Sequence, residues 1–429
     1  MFKNSAQHLS YPTEAFRVKL KAVMRTICLL SLFILALCAP PEASAASGPC
    51  DLTQSMLPIV SSIRGLPSKA PVPCVVASRE EIKGFLLETI KTKLPPQKVR
   101  MEEQVYKALG VIPEDFDYEK GIVALYVSQI GGYYDPEKKH FVMADWISHG
   151  LQEDVVSHEL THALQDQYFN LEVFLDPMTE NGDALLAHAA LVEGDAMLVM
   201  HDHIRHKRKE RSLHEERDPQ ALFPKQLSEP QANSSTSDFP KALQEIVLFP
   251  YIEGVRFAHE LLKRPAGYKE LDAAYGQPPE STRMILHPEV YMNPTAAQAD
   301  IPDLKSLKSE LAGASPVYTD ILGELTIKAT LCARETDREN CRAAAAGLLG
   351  DRVAIFTGTG RQREVVWLSR WESPKDAAEF ADTFKKIVAE GDQQMLPDNT
   401  ILHVTSGKAL KIQRIGSSVR VGVVMSQSS

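Results

Sequence analysis

The sequence predicts an α+β protein in two parts: residues 46–315, mostly helical around one small sheet, and residues 316–429, a smaller module of antiparallel strands and helices. Three observations carry that expectation. Helical composition runs from Glu153 to Phe169 without Gly or Pro, and again from Asp183 to His206. Beyond about Pro316 the pattern turns to short β-rich runs, Arg352–Thr357, Glu364–Arg370, Ile401–Thr405, Ala409–Ile415 and Ser418–Met425, punctuated by Gly358-Thr359-Gly360, Gly407 and Gly416. Finally, 429 residues at 44% hydrophobic content can bury a sizeable core and are long enough for two domains.

At the N-terminus, Arg25 precedes the apolar run Thr26–Leu37, then Pro40-Pro41 and the small-x-small pattern Ala43-Ser44-Ala45. Residues 1–45 are therefore assigned to an export signal, with Met24 as the expected true start. The run is too short to span a bilayer comfortably, so no stable membrane span is expected once it is removed. A lipid anchor on Cys38 is disfavoured because bulky Leu37 precedes it. Four further cysteines, Cys50, Cys74, Cys332 and Cys341, fall into two close couples, the pattern of local disulfides in an oxidising compartment. A periplasmic or secreted protein is expected.

Taking the mature chain in order, Cys50–Pro73 reads as an irregular leader rich in Ser and Pro. Ser78 and Glu81 form a capping box that opens a helix to Thr92, which Pro95-Pro96 ends. A second helix, Met101–Leu109, stops at Gly110. Gly121–Ile130 has strand composition, and Tyr133–Met143 reads as a hairpin turning at Asp135-Pro136-Glu137-Lys138.

The next helix carries His158-Glu159-Leu160-Thr161-His162. Positions i and i+4 share a helix face, so His158 and His162 can grip one Zn²⁺ per chain while Glu159 stands ready as a general base. Glu153 and Asp154 place negative charge early in that helix, where its dipole favours it. Downstream, the helical neighbours of Glu193 are Leu186, Ala189, Ala190, Ala196, Met197 and Met200, all apolar. A buried carboxylate needs a partner, and a metal held by two histidines is one, so Glu193 is the expected third ligand. Asp195, also among apolar neighbours, is expected to orient a ligand imidazole or to replace Glu193.

His158–His162 with Glu193 inside Val192-Glu193-Gly194-Asp195-Ala196 resembles the gluzincin metallopeptidases, whose zinc is held by two His and one Glu. The chain departs from the thermolysin pattern, which has a shorter gap to the third ligand and an acid four residues beyond it, where Met197 stands here. It is closer to a set of largely uncharacterised exported prokaryotic proteins sharing Gly132–Pro136, His158–Gln167, the Glu193–Ala196 stretch, Tyr251–Phe257 and Pro278–Pro288. The resemblance implies a zincin-like domain over 46–315 and hydrolysis of a peptide or protein substrate, with Tyr251, Arg256, His287 and Tyr291 available as oxyanion donors. Asp166, one turn after His162, could brace the helix.

A formal charge of −9 argues against nucleic acid as a partner, because the one dense basic run, His206–Arg211, is answered by Glu215, Glu216 and Asp218. Glu229–Asp238 is expected to be a polar loop, Lys241–Lys263 a helix kinked near Pro250, and Pro294–Pro302 a connection. In the C-terminal module Ile321–Leu349 reads as mostly helical and Ser373–Glu390 as a helix, with no metal or phosphate signature. The rival to an enzyme is a binding or scaffold protein on the same shell. Retention of Glu159 favours the enzyme, and the oligomeric state stays open.

Overall fold

The computed structural model describes residues 49–93, 96–176, 179–217, 239–293, 299–335, 337–359, 362–388, 393–395, 401–405 and 408–425. The expected signal, with Met24 and Cys38, and the polar loop 229–238 lie outside them. The chain begins with α1 (Pro49–Arg64) and β1 (Cys74–Ala77), joined by a Cys50–Cys74 disulfide. The irregular leader expected at Cys50–Pro73 is thereby corrected. Ser and Pro content masked a helical stripe, Thr53, Met56, Val60 and Arg64, all buried.

Next come α2 (Arg79–Lys93), α3 (Pro96–Ala108) and α4 (Tyr118–Gln129). The capping box forms as expected, Glu81 N donating to Ser78 Oγ at 3.3 Å and Ser78 N to Glu81 Oε2 at 2.7 Å. Pro96 sits in the first turn of α3, where its missing N–H is harmless. The strand expected over Gly121–Ile130 is α4 instead. Its β-branched and aromatic content favours a strand only on average, and packing decides: Val123 and Ile130 join Ile82 and Leu86 of α2 in one core.

The hairpin is β2 (Gly132–Asp135) and β3 (His140–Ala144), with Tyr133 opposite Val142 and Asp135 opposite His140. Asp135 Oδ1 accepts from Glu137 N and Lys138 N and so shapes the turn. β1 adds to β3 in parallel, giving a three-stranded sheet in the order β1-β3-β2.

Helix α5 (His149–Phe169) packs on β2 and β3, and after it come α6 (Leu171–Phe174), α7 (Gly182–Lys207), α8 (Lys241–Leu262), α9 (Tyr268–Gly276), α10 (Thr282–Leu286) and α11 (Pro288–Met292). α8 runs through Pro250 as one helix. By length and composition α7 could cross a membrane, but 78% of its apolar window is buried inside the protein.

The C-terminal part contains β4 (Ser315–Asp320), α12 (Gly323–Arg334), α13 (Arg338–Ala345), β5 (Leu348–Thr357), β6 (Arg363–Trp371), α14 (Pro374–Val388), β7 (Gln393–Met395), β8 (Ile401–Thr405), β9 (Lys408–Ile415) and β10 (Ser418–Met425). All neighbouring strands pair antiparallel, in the order β4-β5-β6-β10-β9-β8-β7. Trp367 and Trp371 of β6 meet Phe380 of α14, and Cys332–Cys341 ties α12 to α13. The fold class is the expected α+β one, with three strands, β1, β4 and β7, that sequence reading did not find.

One buried residue, Asp183, joins the two parts at the start of α7, its carboxylate on one side and its backbone N–H on the other. Asp183 Oδ1 accepts from Thr282 N at 3.0 Å and from Thr282 Oγ1, while Asp183 N donates to Ile321 O at 3.1 Å. Gly323 has φ +74° and a Cβ there would meet Asp183 Oδ1 at 1.8 Å, so only glycine fits. Burial pushes the Asp183 carboxyl up to about 7, the Thr282 hydroxyl pulling it down and the Asp351 charge adding to the rise.

With its folded pKa above the unfolded one, Asp183 binds an extra proton on folding between about pH 4 and 7. Its stabilising contribution is therefore present at low pH and is lost as pH rises through 7. Between pH 5 and 8, wild type is expected to lose about 3–5 °C of melting temperature relative to Asp183→Asn, the isosteric neutral variant. Parallel melting curves for the two proteins would assign the proton elsewhere.

Candidate metal centre

α5 is buried almost all round, from Val155 to Asp166. Its seat on the hairpin is set by Asp166, which accepts from Tyr134 Oη at 2.9 Å and Lys139 Nζ at 2.7 Å through Oδ2, and from Leu171 N at 3.2 Å through Oδ1. Asp166 thus clamps β2, β3 and the start of α6 to the helix that carries the histidines. Helix α5 begins at His149, so Glu153 and Asp154 fall after its first turn. Glu153 instead pairs with Lys207 at the far end of α7.

The structure brings His158, His162 and Glu193 into one buried group that could hold a metal ion. His158 Nε2 and His162 Nε2 are 3.1 Å apart, and Glu193 Oε2 lies 3.2 Å and 3.3 Å from them. A tetrahedral ion with bonds of about 2.0–2.1 Å spaces its ligand atoms by about 3.3 Å, so the triangle fits such an ion without rearrangement. Glu193 Oε1 is buried with no hydrogen-bond partner among the described residues, a costly state for a carboxylate that a bound cation would offset. Burial holds His158 below the ordinary imidazole range, more than its hydrogen bond to Glu193 restores. For His162 burial is outweighed by the Glu193 and Glu159 carboxylates, which push it up to about 9. Glu193 is pulled down to about 2 by the two imidazoles, against its burial. Glu159, the expected base, is fully buried beside the first histidine in sequence.

Gln165 fixes one ligand's proton. Its Nε2 donates to Val192 O and Asp195 Oδ2, both at 3.0 Å, and both partners can only accept. The amide oxygen must then face His162 Nδ1, 2.8 Å away, so that nitrogen is a donor and Nε2 is the atom left to face Glu193 and His158. Asp195 is accordingly not in the metal-binding group and reaches His162 only through Gln165. It is itself held by Arg64 at 2.7 Å and by Tyr275 Oη at 3.1 Å. Neither Gln165 nor Arg64 was singled out from the sequence. Gln165 lies one turn beyond His162, a local signal that could have found it, whereas Arg64 is 131 positions from Asp195 and has none.

α7 reaches this position through a close crossing with α8. A Cβ on Gly194 would lie 2.1 Å from Gly254 O, and one on Gly254 would lie 2.2 Å from Ala190 O. The glycines of Glu193-Gly194-Asp195 and Glu253-Gly254-Val255 are thus points of backbone contact between α7 and α8.

The oxyanion candidates separate. Tyr251 is buried on α8, one turn before the Gly254 crossing. Arg256 is exposed on that helix and donates to Glu253 at 2.8 Å. His287 bonds Glu324 Oε1 at 2.7 Å, a link from the α10–α11 corner to α12 that raises its pKa. Tyr291 donates to Gln277 O at 2.9 Å. A residue the sequence reading passed over is His201 on α7. Its Nε2 is enclosed with no hydrogen-bond partner among the described residues, and burial, with His158 adding, lowers it to about 4.

Residues 311–428 match the family described as Domain of unknown function (DUF8575), a span that runs from just before β4 through β10 and excludes the histidine pair. No curated protein and no solved structure matches the chain.

Proposed function

We propose that the protein is an exported zinc-dependent metallopeptidase of the zincin type, hydrolysing peptide bonds in a peptide or protein substrate. The observation that carries this reading is the convergence of His158, His162 and Glu193 at tetrahedral spacing with Glu159 next to the first ligand on the same helix. Two nitrogens and one carboxylate oxygen are the donor set of catalytic zinc sites, which keep a fourth position open. Zinc bound there would supply a Lewis acid that polarises the scissile carbonyl and makes water a better acid.

The chain's own groups do the rest. Glu159 accepts the proton of the attacking water and returns it to the leaving nitrogen, the general acid–base role that contributes about 10²–10⁴-fold in such sites. His162 is held in the ligating tautomer by Gln165. Tyr251, buried on α8 one turn before the Gly254 crossing, is the proposed donor to the developing oxyanion. Two disulfides, together with the apolar run at 26–37, support export.

One observation favours a second reading, a non-catalytic binding or scaffold protein on the same shell: the three ligands and Glu159 are 0–1% exposed. The test is to express residues 46–429 in an oxidising compartment, measure metal per chain, and assay a mixed peptide library. Zinc near one per chain, kept in Glu159→Gln with cleavage down by about 10²–10⁴-fold, is the expected result. Full zinc in wild type without cleavage would leave the scaffold reading standing.

A further inference from the structure

We propose that Gln165, Asp195 and Arg64 form a positioning relay that sets the metal affinity of His162, which makes α1 a working part of the metal centre rather than a leader attached to it. The proposal rests on reading His158, His162 and Glu193 as a metal centre. Its own support is a chain of contacts reaching three elements. Gln165 on α5 holds His162 Nδ1 at 2.8 Å and is itself held by Val192 O and Asp195 Oδ2 on α7. Asp195 receives Arg64 of α1 at 2.7 Å, and Arg64 reaches on to Asp272 of α9 at 2.7 Å.

Each link removes a freedom from the next. If Gln165 turned its amide over, its oxygen would face two acceptors and its nitrogen would face an imidazole nitrogen that must then give up its proton. That flip is blocked as long as Asp195 presents acceptor oxygens, and its two donors, Gln165 and Tyr275, together with its ion pair to Arg64, require it to do so. Arg64 is 0% exposed, with its guanidinium over the Tyr268 ring at 5.1 Å, so it has no solvent to turn to if Asp195 moves. α1 is secured at its other end by Cys50–Cys74, which ties it to β1 on the hairpin sheet. His158 has no such support, because its Nδ1 has no partner among the described residues. The two histidine ligands are therefore unequal: His162 is pre-oriented by the fold, and α1 supplies the charge at the base of that orientation.

The experiment uses the full mature chain loaded with zinc or cobalt. It measures Zn²⁺ affinity by competition with a chromophoric chelator and records the visible absorption of the Co²⁺ form, with the melting temperature of each metal-free variant as a folding control. Gln165→Leu is expected to weaken zinc about 10–100-fold and to shift the cobalt band. Arg64→Met, whose side chain is far from the ion, is expected to do the same in kind, and Arg64→Lys to recover part of the loss because an ammonium can still pair with Asp195. The double variant Gln165→Leu/Arg64→Met is expected to be no worse for zinc than Gln165→Leu alone, since both cut one relay. Should Arg64→Met fail to fold, Tyr275→Phe removes a single hydrogen bond from Asp195 and is expected to weaken zinc in the same direction. Lowered melting temperatures with unchanged zinc affinity and cobalt spectrum would make Arg64 and Gln165 merely structural and overturn the relay. A folded wild type that binds neither ion would overturn the metal-centre reading itself, a result distinct from one in which wild type binds zinc and the variants bind it equally well.

Discussion

Alanine at Gly254 is expected to cost about 3 kcal/mol or more of folding stability, the upper end of what overpacking a core does. The reason is where the added carbon would go. It would stand 2.2 Å from Ala190 O and 3.0 Å from Ala190 C, both backbone atoms of α7, which cannot rotate aside as a side chain can. Gly194→Ala meets Gly254 O at 2.1 Å from the opposite side and should behave alike. Neither glycine has a positive φ, so the demand is for space and not for unusual backbone geometry. Relief requires prising α7 from α8, and α7 carries Glu193, so the same variants should also lose metal. Urea denaturation checks this. A Gly254→Ala protein within 0.5 kcal/mol of wild type would mean that the crossing is looser than these contacts demand.

Metal removal is expected to have a comparable effect. A ligand that binds the folded state alone stabilises it by about 4 kcal/mol when present at a thousand times its Kd. Here the binding atoms are buried, and Glu193 Oε1 has no hydrogen-bond partner among the described residues. Calorimetry with zinc against chelator should show a rise in melting temperature on the order of 10 °C. Glu193→Ala should abolish that rise, while Glu159→Gln should keep it, because the base is not one of the three grouped ligand residues. Equal melting temperatures with and without metal in wild type would count against the site.

How much of this was legible in the sequence depended on the range of the interactions involved. The helix bearing His158 and His162, the capping box at Ser78 and Glu81, the hairpin through Asp135 and most of the C-terminal strands are set by neighbours within a few positions, and each is found near its expected place. Even Glu193 could be picked out, because a carboxylate among apolar helical neighbours is visible as an anomaly before any partner is known.

Tertiary structure decided the rest. Gly121–Ile130 has the composition of a strand, yet its packing against α2 makes it a helix. His287 could have faced a metal or a carboxylate, and only the approach of α12 assigns it to Glu324. Arg256 is exposed on α8, where it donates to Glu253. Gly194 and Gly254 were letters in two motifs until the helices crossed at them. The sequence by itself pointed to a helix whose two histidines could hold a metal, a candidate third ligand and an α+β chain. What it could not determine was which distant side chains hold that ligand set in place, because the pairing of Arg64 with Asp195 is made by the fold and leaves no periodicity, spacing or composition along the chain to mark it.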